Sequence, residues 1–326
     1  MKFILLDSNQ LIIQCWKHHY QTCLKIVHHY NLSLKPITAS TSAAAAEATT
    51  TTTTPSNPNE FEFYGGNIED FVFNQTLTGN TSTVTPTNSL SYMGGGYDKY
   101  LLQSMLLGTN TTDYKTVEHL IQESKLQEGN GYLIPNHIYM TNLLQLPVYR
   151  GYNYRDSLMY QNLRVSQIIQ IPTMVVPEKI HSVSHLFDSM WSLLSHVRQY
   201  NGKREGGEDV NAKSVHQIDN LIIPGIGTGY GHLNEYESTK IMIFAIFLFN
   251  LDLGSDNYRL NQLKKSLLIL FFFNKDYRLF KNHQDIQELE SLVSDYGKNV
   301  EFKSDSDSDS DPTVMELDEV FKCIKF

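Results

Sequence analysis

Cysteine is scarce in this chain: three residues in 326, Cys15, Cys23 and Cys323. They are too few and too scattered for a disulfide framework. Long apolar runs are also missing. The longest, Ile241 to Phe249, has nine residues, about half of the roughly 20 that a membrane-spanning helix needs. No membrane partner is expected, and that run reads as a buried helix. Basic residues fall short of acidic ones, 26 against 35, for a net charge of −9 with no basic stripe. Polymeric nucleic acid is therefore not expected as a partner. The chain has no Gly-x-Ser-x-Gly elbow, no Gly-x-x-x-x-Gly-Lys phosphate loop and no His-Glu-x-x-His zinc helix, so those reaction classes lose their support. The opening Met1 to Asp7 holds an unbroken run of four apolar residues, Phe3 to Leu6, before an acid. That is short for a signal-peptide core and reads as a first strand. An intracellular location, cytoplasmic and/or nuclear, is expected.

What is present suits a layered α/β domain. Hydrophobic residues make up 41% and aromatics 11%, enough for a sizeable core. Candidate strands are Lys2–Leu6, Leu24–Val27, Glu60–Tyr64, Tyr132–Ile134, His137–Met140, Val165–Ile171, Asn220–Pro224 and the continuous apolar Leu267–Phe273. Helical periodicity marks a short segment after Leu11, a helix from Tyr97, another over 185–200 and one starting near Asn234. Strands alternating with helices predict helices packed on both faces of a sheet. A single domain over 1–300 is expected, interrupted by a Thr- and Ala-rich low-complexity insertion over 36–59 and a polar excursion over 201–214. Residues 301–326, with eight acids, three lysines and a fourfold Ser-Asp run from Ser304, read as an acidic tail, with Val314 to Phe326 as a small strand or helix at its end.

Two glycine loops are the candidate site. The first runs from Thr85 through Asn88 and Tyr92 to Gly94, Gly95 and Gly96, and enters a helix at Tyr97 and Asp98. Consecutive glycines let the backbone come close to a ligand, and a helix N-terminus favours an anion. The second is Gly225-Ile-Gly-Thr-Gly-Tyr-Gly231, between a strand and a helix. Two such loops at one sheet edge can close on a diphosphate. The helix dipole should keep Asp98 ionised at neutral pH. His232, just past the second loop, is a further candidate acid. Cys15, His19 and Cys23 fall four apart, but without a fourth ligand or a Cys-x-x-Cys they read as a half-buried helical face with exposed histidines, not as a metal site.

With both loops in view, the sequence resembles the macro domain, the ADP-ribose-binding fold, and is closest to the divergent macro-like branch associated with ADP-ribose 1″-phosphate phosphatase activity. The pieces that carry this are Gly66-Asn-Ile68, Asn88 with Gly94-Gly-Gly-Tyr-Asp98, Pro172-Thr-Met174 with Pro177, and Pro224-Gly-Ile-Gly-Thr-Gly-Tyr230. The resemblance implies a three-layer α/β/α fold around a mixed, mostly parallel sheet. It implies ADP-ribose or ADP-ribose 1″-phosphate as ligand, ADP-ribosylated protein as a further partner, and no metal or cofactor. Asn67 and Ile68 would meet the adenine; Asn67 stands where the family commonly has an Asp, and its carbonyl can accept the same bond from the adenine amino group. Asn88 would touch the distal ribose and take part in catalysis. Gly94, Gly95, Gly96 and Tyr97 would wrap ribose and diphosphate, with Gly225, Gly227, Thr228, Gly229 and Tyr230 as the second loop. Asp98 would activate water. A non-catalytic ADP-ribose reader, an ADP-ribosyl ester hydrolase and a dinucleotide-dependent oxidoreductase stay open at this point, although neither loop shows a full Gly-x-Gly-x-x-Gly with an acid about 20 residues on.

Overall fold

The alternation inside two short central strands sets the architecture. In Lys2–Asp7 the side chains of Phe3 and Leu5 enter one apolar cluster and those of Ile4 and Leu6 another, all essentially inaccessible. Leu221 and Ile223 divide from Ile222 in the same way. A strand buried on both faces must be covered on both faces by helices. The fold is accordingly a three-layer α/β/α sandwich, seen in a computed structural model. It describes residues 1–37, 59–180, 182–202, 217–254, 257–280, 286–302 and 314–326. Most of the expected insertion over 36–59, most of the excursion over 201–214 and the Ser-Asp run lie outside the described residues.

The strands are β1 (Lys2–Asp7), β2 (Ser33–Leu34), β3 (Glu60–Gly65), β4 (Thr81–Asn88), β5 (Tyr139–Asn142), β6 (Val165–Met174), β7 (Asn220–Pro224) and β8 (Leu251–Asp252). The helices are α1 (Gln10–His29), α2 (Ile68–Asn74), α3 (Gly96–Leu106), α4 (Tyr114–Glu128), α5 (Leu158–Leu163), α6 (Val183–Gly202), α7 (Glu235–Asn250), α8 (Tyr258–Phe272), α9 (Ile286–Leu292), α10 (Asp295–Lys298) and α11 (Leu317–Lys322). Six strands form one sheet in the order β3-β1-β7-β4-β6-β5, parallel except for the antiparallel β5 edge. Helices α1, α6, α7, α8 and α11 fill one side, and α2, α3, α4 and α5 the other.

Three expected strands are corrected. Leu24–Val27 belongs to the last turns of α1. Its buried residues Ile12, Trp16, His19, Cys23, Ile26 and Val27 keep helical spacing, and no glycine or proline interrupts the chain after the Asn9 cap. Leu267–Phe273 is the end of α8, capped by Asn257. There Leu267, Leu268, Phe271 and Phe272 are buried while Ile269 and Leu270 are only half buried, a 3.6-residue rhythm hidden inside an unbroken apolar run. Tyr132–Ile134 is a loop after the left-handed Asn130 and Gly131. The end of the expected acidic tail, read as a small strand or helix, is the helix α11, and Val314, Leu317, Val320, Phe321 and Ile324 there belong to the core beside α1 and α8 rather than to a solvated tail. Lys240 of α7, fully buried, meets Glu316 at 2.8 Å and Glu237 at 3.1 Å, which ties this segment down.

One irregularity in the sheet positions the site. β4 pairs with β7 only from Thr81↔Asn220 to Thr83↔Ile222, whereas its pairing with β6 runs on to Asn88↔Met174. Beyond Thr83 the two central strands part and open a cleft at their carboxyl ends. Pro86 sits in this stretch, where β4 has a free edge that tolerates a residue without an N–H.

Candidate functional site

The cleft holds a cavity of about 350 Å³, within the roughly 300–1,000 Å³ usual for small-molecule sites. Asn88, at the end of β4, shapes its first wall. Its side-chain oxygen accepts the N–H groups of Leu90 (3.0 Å) and Tyr92 (3.3 Å), and its amide nitrogen donates to the Tyr92 carbonyl at 2.8 Å. The loop is then pinned from behind, where the Met93 N–H donates to Glu118 Oε1 of α4 at 2.8 Å. Gly95 is the N-cap of α3 and supplies no capping side chain. Gly96 takes φ +57°, in the left-handed region that favours glycine. The helix thus begins one residue earlier than expected, with its amino end at the cavity.

Asp98 lies in the first turn of α3 and lines the cavity, buried. Its Oδ1 accepts a short hydrogen bond from the Thr85 hydroxyl. Burial pushes its carboxyl from 3.8 up to about 8; the Thr85 bond opposes this and the charge of Glu118 adds to it. This corrects the expectation of an ionised carboxylate. A helix dipole contributes up to about 1 kcal/mol here, less than one pH unit, and desolvation outweighs it. Tyr97 also lines the cavity with its hydroxyl buried, and burial raises its proton affinity.

The second wall is the loop after β7. The Gly225 N–H donates to Asp7 Oδ2 at the end of β1 (3.2 Å), and burial raises the Asp7 carboxyl as well. Gly227 has φ +87°. The loop closes on itself through Leu233 N–H to the Gly227 carbonyl (2.9 Å) and is tied to α7 by the Ser238 hydroxyl bonded to the Ile226 carbonyl (2.6 Å). Tyr230 reaches across to the first loop: a Cβ on Gly95 would lie 3.2 Å from its hydroxyl. α7 starts on its Asn234 cap, as expected.

The cleft brings together Asn88, Gly94, Gly95, Gly96, Tyr97, Asp98, Gly225, Gly227, Gly229 and Tyr230. It does not include Thr228, Asn67 or Ile68 among its lining residues. Asn67 instead caps α2, its side-chain oxygen accepting the Asp70 N–H at 2.7 Å, and Ile68 is buried in the α2–α3 core. His232 is exposed and does not line the cavity. His19 is buried rather than exposed, its Nε2 3.2 Å from the Tyr236 carbonyl, and burial brings its proton affinity down to about 4. Among the described residues no group of three or more His, Cys, Asp or Glu side chains could hold a metal ion, and no helix is long and apolar enough to cross a membrane. Thr87, Thr173, Met174 and Pro177 also line the cavity, with Thr85 and Glu118 behind it. Thr85 and Thr87 were legible as polar residues recurring at every second position of β4, and Thr173, Met174 and Pro177 belong to the Pro172-to-Pro177 piece of the resemblance, while Glu118 looks like any other helix acid.

A family model described as a macro-like domain matches residues 72–313, about three quarters of the chain. The chain belongs to the macro-like domain family. No curated protein matches it. The macro-like match takes in β4, both glycine loops and Asp98, so the cleft lies wholly within it. β1, β3 and the Asn67–Ile68 cap precede it, and the α11 segment follows it.

Proposed function

We propose that the cleft binds ADP-ribose between its two glycine loops, and that the protein hydrolyses an ester of the distal ribose, most simply the phosphate of ADP-ribose 1″-phosphate. The single observation that carries this reading is Asp98, a buried carboxyl that lines the cavity in the first turn of a helix whose N-cap, Gly95, supplies no side chain. The amides at Gly95–Tyr97 would receive phosphate oxygens, as helix N-termini do. Preorganised donors of this kind steady the charge that develops in the transition state.

With its proton affinity near 8, Asp98 is mostly protonated at pH 7, so it acts first as an acid. Water attacks phosphorus, the bond from phosphorus to the ribose oxygen breaks, and that oxygen takes the Asp98 proton. Free phosphate and ADP-ribose leave, and solvent restores the proton. The base role implied by the resemblance is confined to pH above about 8. Phosphate release from ADP-ribose 1″-phosphate, followed from about pH 6 to pH 9, tests this. The rate should fall as pH rises through about 8 and be lost in Asp98→Asn. A rate that rises through that pH would return Asp98 to the base role. Saturable ADP-ribose binding with no turnover of any distal-ribose ester would make the protein a reader, a reading favoured by the full engagement of the Asn88 side chain within its own loop.

A further inference from the structure

Helix α4 stands outside the cavity, yet one of its faces is given over to the first glycine loop. Lys115, Glu118 and Gln122 fall at i, i+3 and i+7, on one side of a helix. Gln122 Nε2 donates to the Leu90 carbonyl at 2.9 Å, and Glu118 Oε1 accepts the Met93 N–H at 2.8 Å. Lys115 Nζ holds the other Glu118 oxygen at 2.7 Å. A Cβ on Gly94 would lie 3.8 Å from both Glu118 Oε1 and Lys115 Nζ. Glu118 is 5% exposed while its partner Lys115 is exposed, and an ion pair with one solvent-exposed partner contributes little to stability. α4 is already docked by Val117 and Ile121, both at 0% exposure. The Glu118 carboxylate therefore has a purpose other than holding its own helix.

We infer that Glu118, paired with Lys115, is a positioning residue: it holds the Gly94–Gly96 loop in its receiving shape and places a negative charge behind Asp98. The groups around Asp98 leave this role to Glu118. Thr85 on β4 is uncharged, Tyr97 is on the same helix with its hydroxyl proton held firmly, and Asp7 of β1 acts on Tyr97. Glu118 on α4 is the charge that acts on Asp98 directly, and a like charge there favours the protonated carboxyl.

The consequence for turnover rests on the function proposed above, but the contact and the charge can be tested without any ligand. Three variants of the full chain, Glu118→Gln, Lys115→Met and Glu118→Ala, would be followed by carboxyl carbon NMR of Asp98 against pH and by hydrogen exchange at the Met93 amide. Glu118→Gln keeps an acceptor for Met93 and loses the charge. It should lower the Asp98 midpoint by roughly half a pH unit or more with the Met93 amide still protected. Lys115→Met leaves the Glu118 charge unbalanced and should move the midpoint the other way. Glu118→Ala should lower the midpoint and speed Met93 exchange at least about tenfold, the equivalent of one lost hydrogen bond. Midpoints that move in one direction for Glu118→Gln and Lys115→Met, or not at all, overturn the inference. So does a Met93 amide that exchanges no faster in Glu118→Ala. If wild-type protein fails to bind ADP-ribose, the functional reading falls while these titrations still decide the role of Glu118.

Discussion

The two glycine loops look alike in sequence and differ in what their missing side chains are for. In the second loop the space is taken by the protein itself. A Cβ would come within 2.5 Å of Asp7 Oδ2 at Gly225, 2.7 Å of Leu233 Cδ1 at Gly227 and 2.5 Å of the Gly227 carbonyl oxygen at Gly231. In the first loop it is mostly empty: nothing lies within 4 Å at Gly96, nothing closer than 3.8 Å at Gly94, and only the swinging end of Tyr230 at Gly95. At Gly225, Gly227 and Gly231 the second loop needs glycine to fold, while Gly229 has open space around it. In the first loop Gly96 answers to its backbone angle, φ +57°, while at Gly94 and Gly95 a side chain would be met chiefly by something entering the cavity. The buried acid lies on the same first-loop side, in the first turn of α3.

Substitutions can break or sharpen that contrast. The largest effect is expected at Asp98. Asp98→Asn still accepts from Thr85 but cannot give up a proton, so phosphate release should fall at least about 100-fold while ADP-ribose binding persists in calorimetry. The same substitution should stabilise the protein. A carboxyl raised from 3.8 unfolded to about 8 folded keeps its proton in the native state while the unfolded chain has lost it. Its contribution is therefore full below about pH 4 and declines as pH rises towards 8, by about 1.4 kcal/mol per pH unit. Thermal melts at pH 8 should show Asp98→Asn above wild type, and melts at pH 4 should show no gain.

Next in size, Gly231→Ala sets a methyl against backbone and should lower stability by about 2–4 kcal/mol in urea unfolding. Gly94→Ala, whose methyl meets only ordinary contacts, should stay within about 0.5 kcal/mol of wild type. Equal losses at the two positions would erase the distinction between the loops. Smallest, Asn88→Ala removes the turn bonds to Leu90 and Tyr92 and should cost about 1 kcal/mol of stability, with faster amide exchange at those two residues as the readout.

Much of this was legible in the sequence, and the gaps have physical causes. Strand β7, the Asn234 cap and the Asn88-to-Asp98 spacing could be read because each depends on neighbours in the chain. The apolar run at Leu267–Phe273 could not be assigned by period, since strand and buried helix share that pattern, and the preceding stripe of α8 decides it. The resemblance gave Asn67 a ligand role, and a residue of that type before a helix also has a local use as a cap, which is where the structure shows its side chain. The Asp98 carboxyl was misjudged because the dipole belongs to its own helix, whereas its burial, Thr85 and Glu118 come from α3 packing against β4 and α4. Tertiary desolvation is not written in a local motif.

The most direct test is calorimetric titration of ADP-ribose into wild-type protein and into Gly95→Val, whose side chain would project towards the exposed Tyr230 hydroxyl across the cavity. Saturable one-site heat in the wild type, lost in a Gly95→Val protein that melts at the wild-type temperature, is the expected result. No heat with wild type, or the same binding in both proteins, would contradict a ligand held between the two loops.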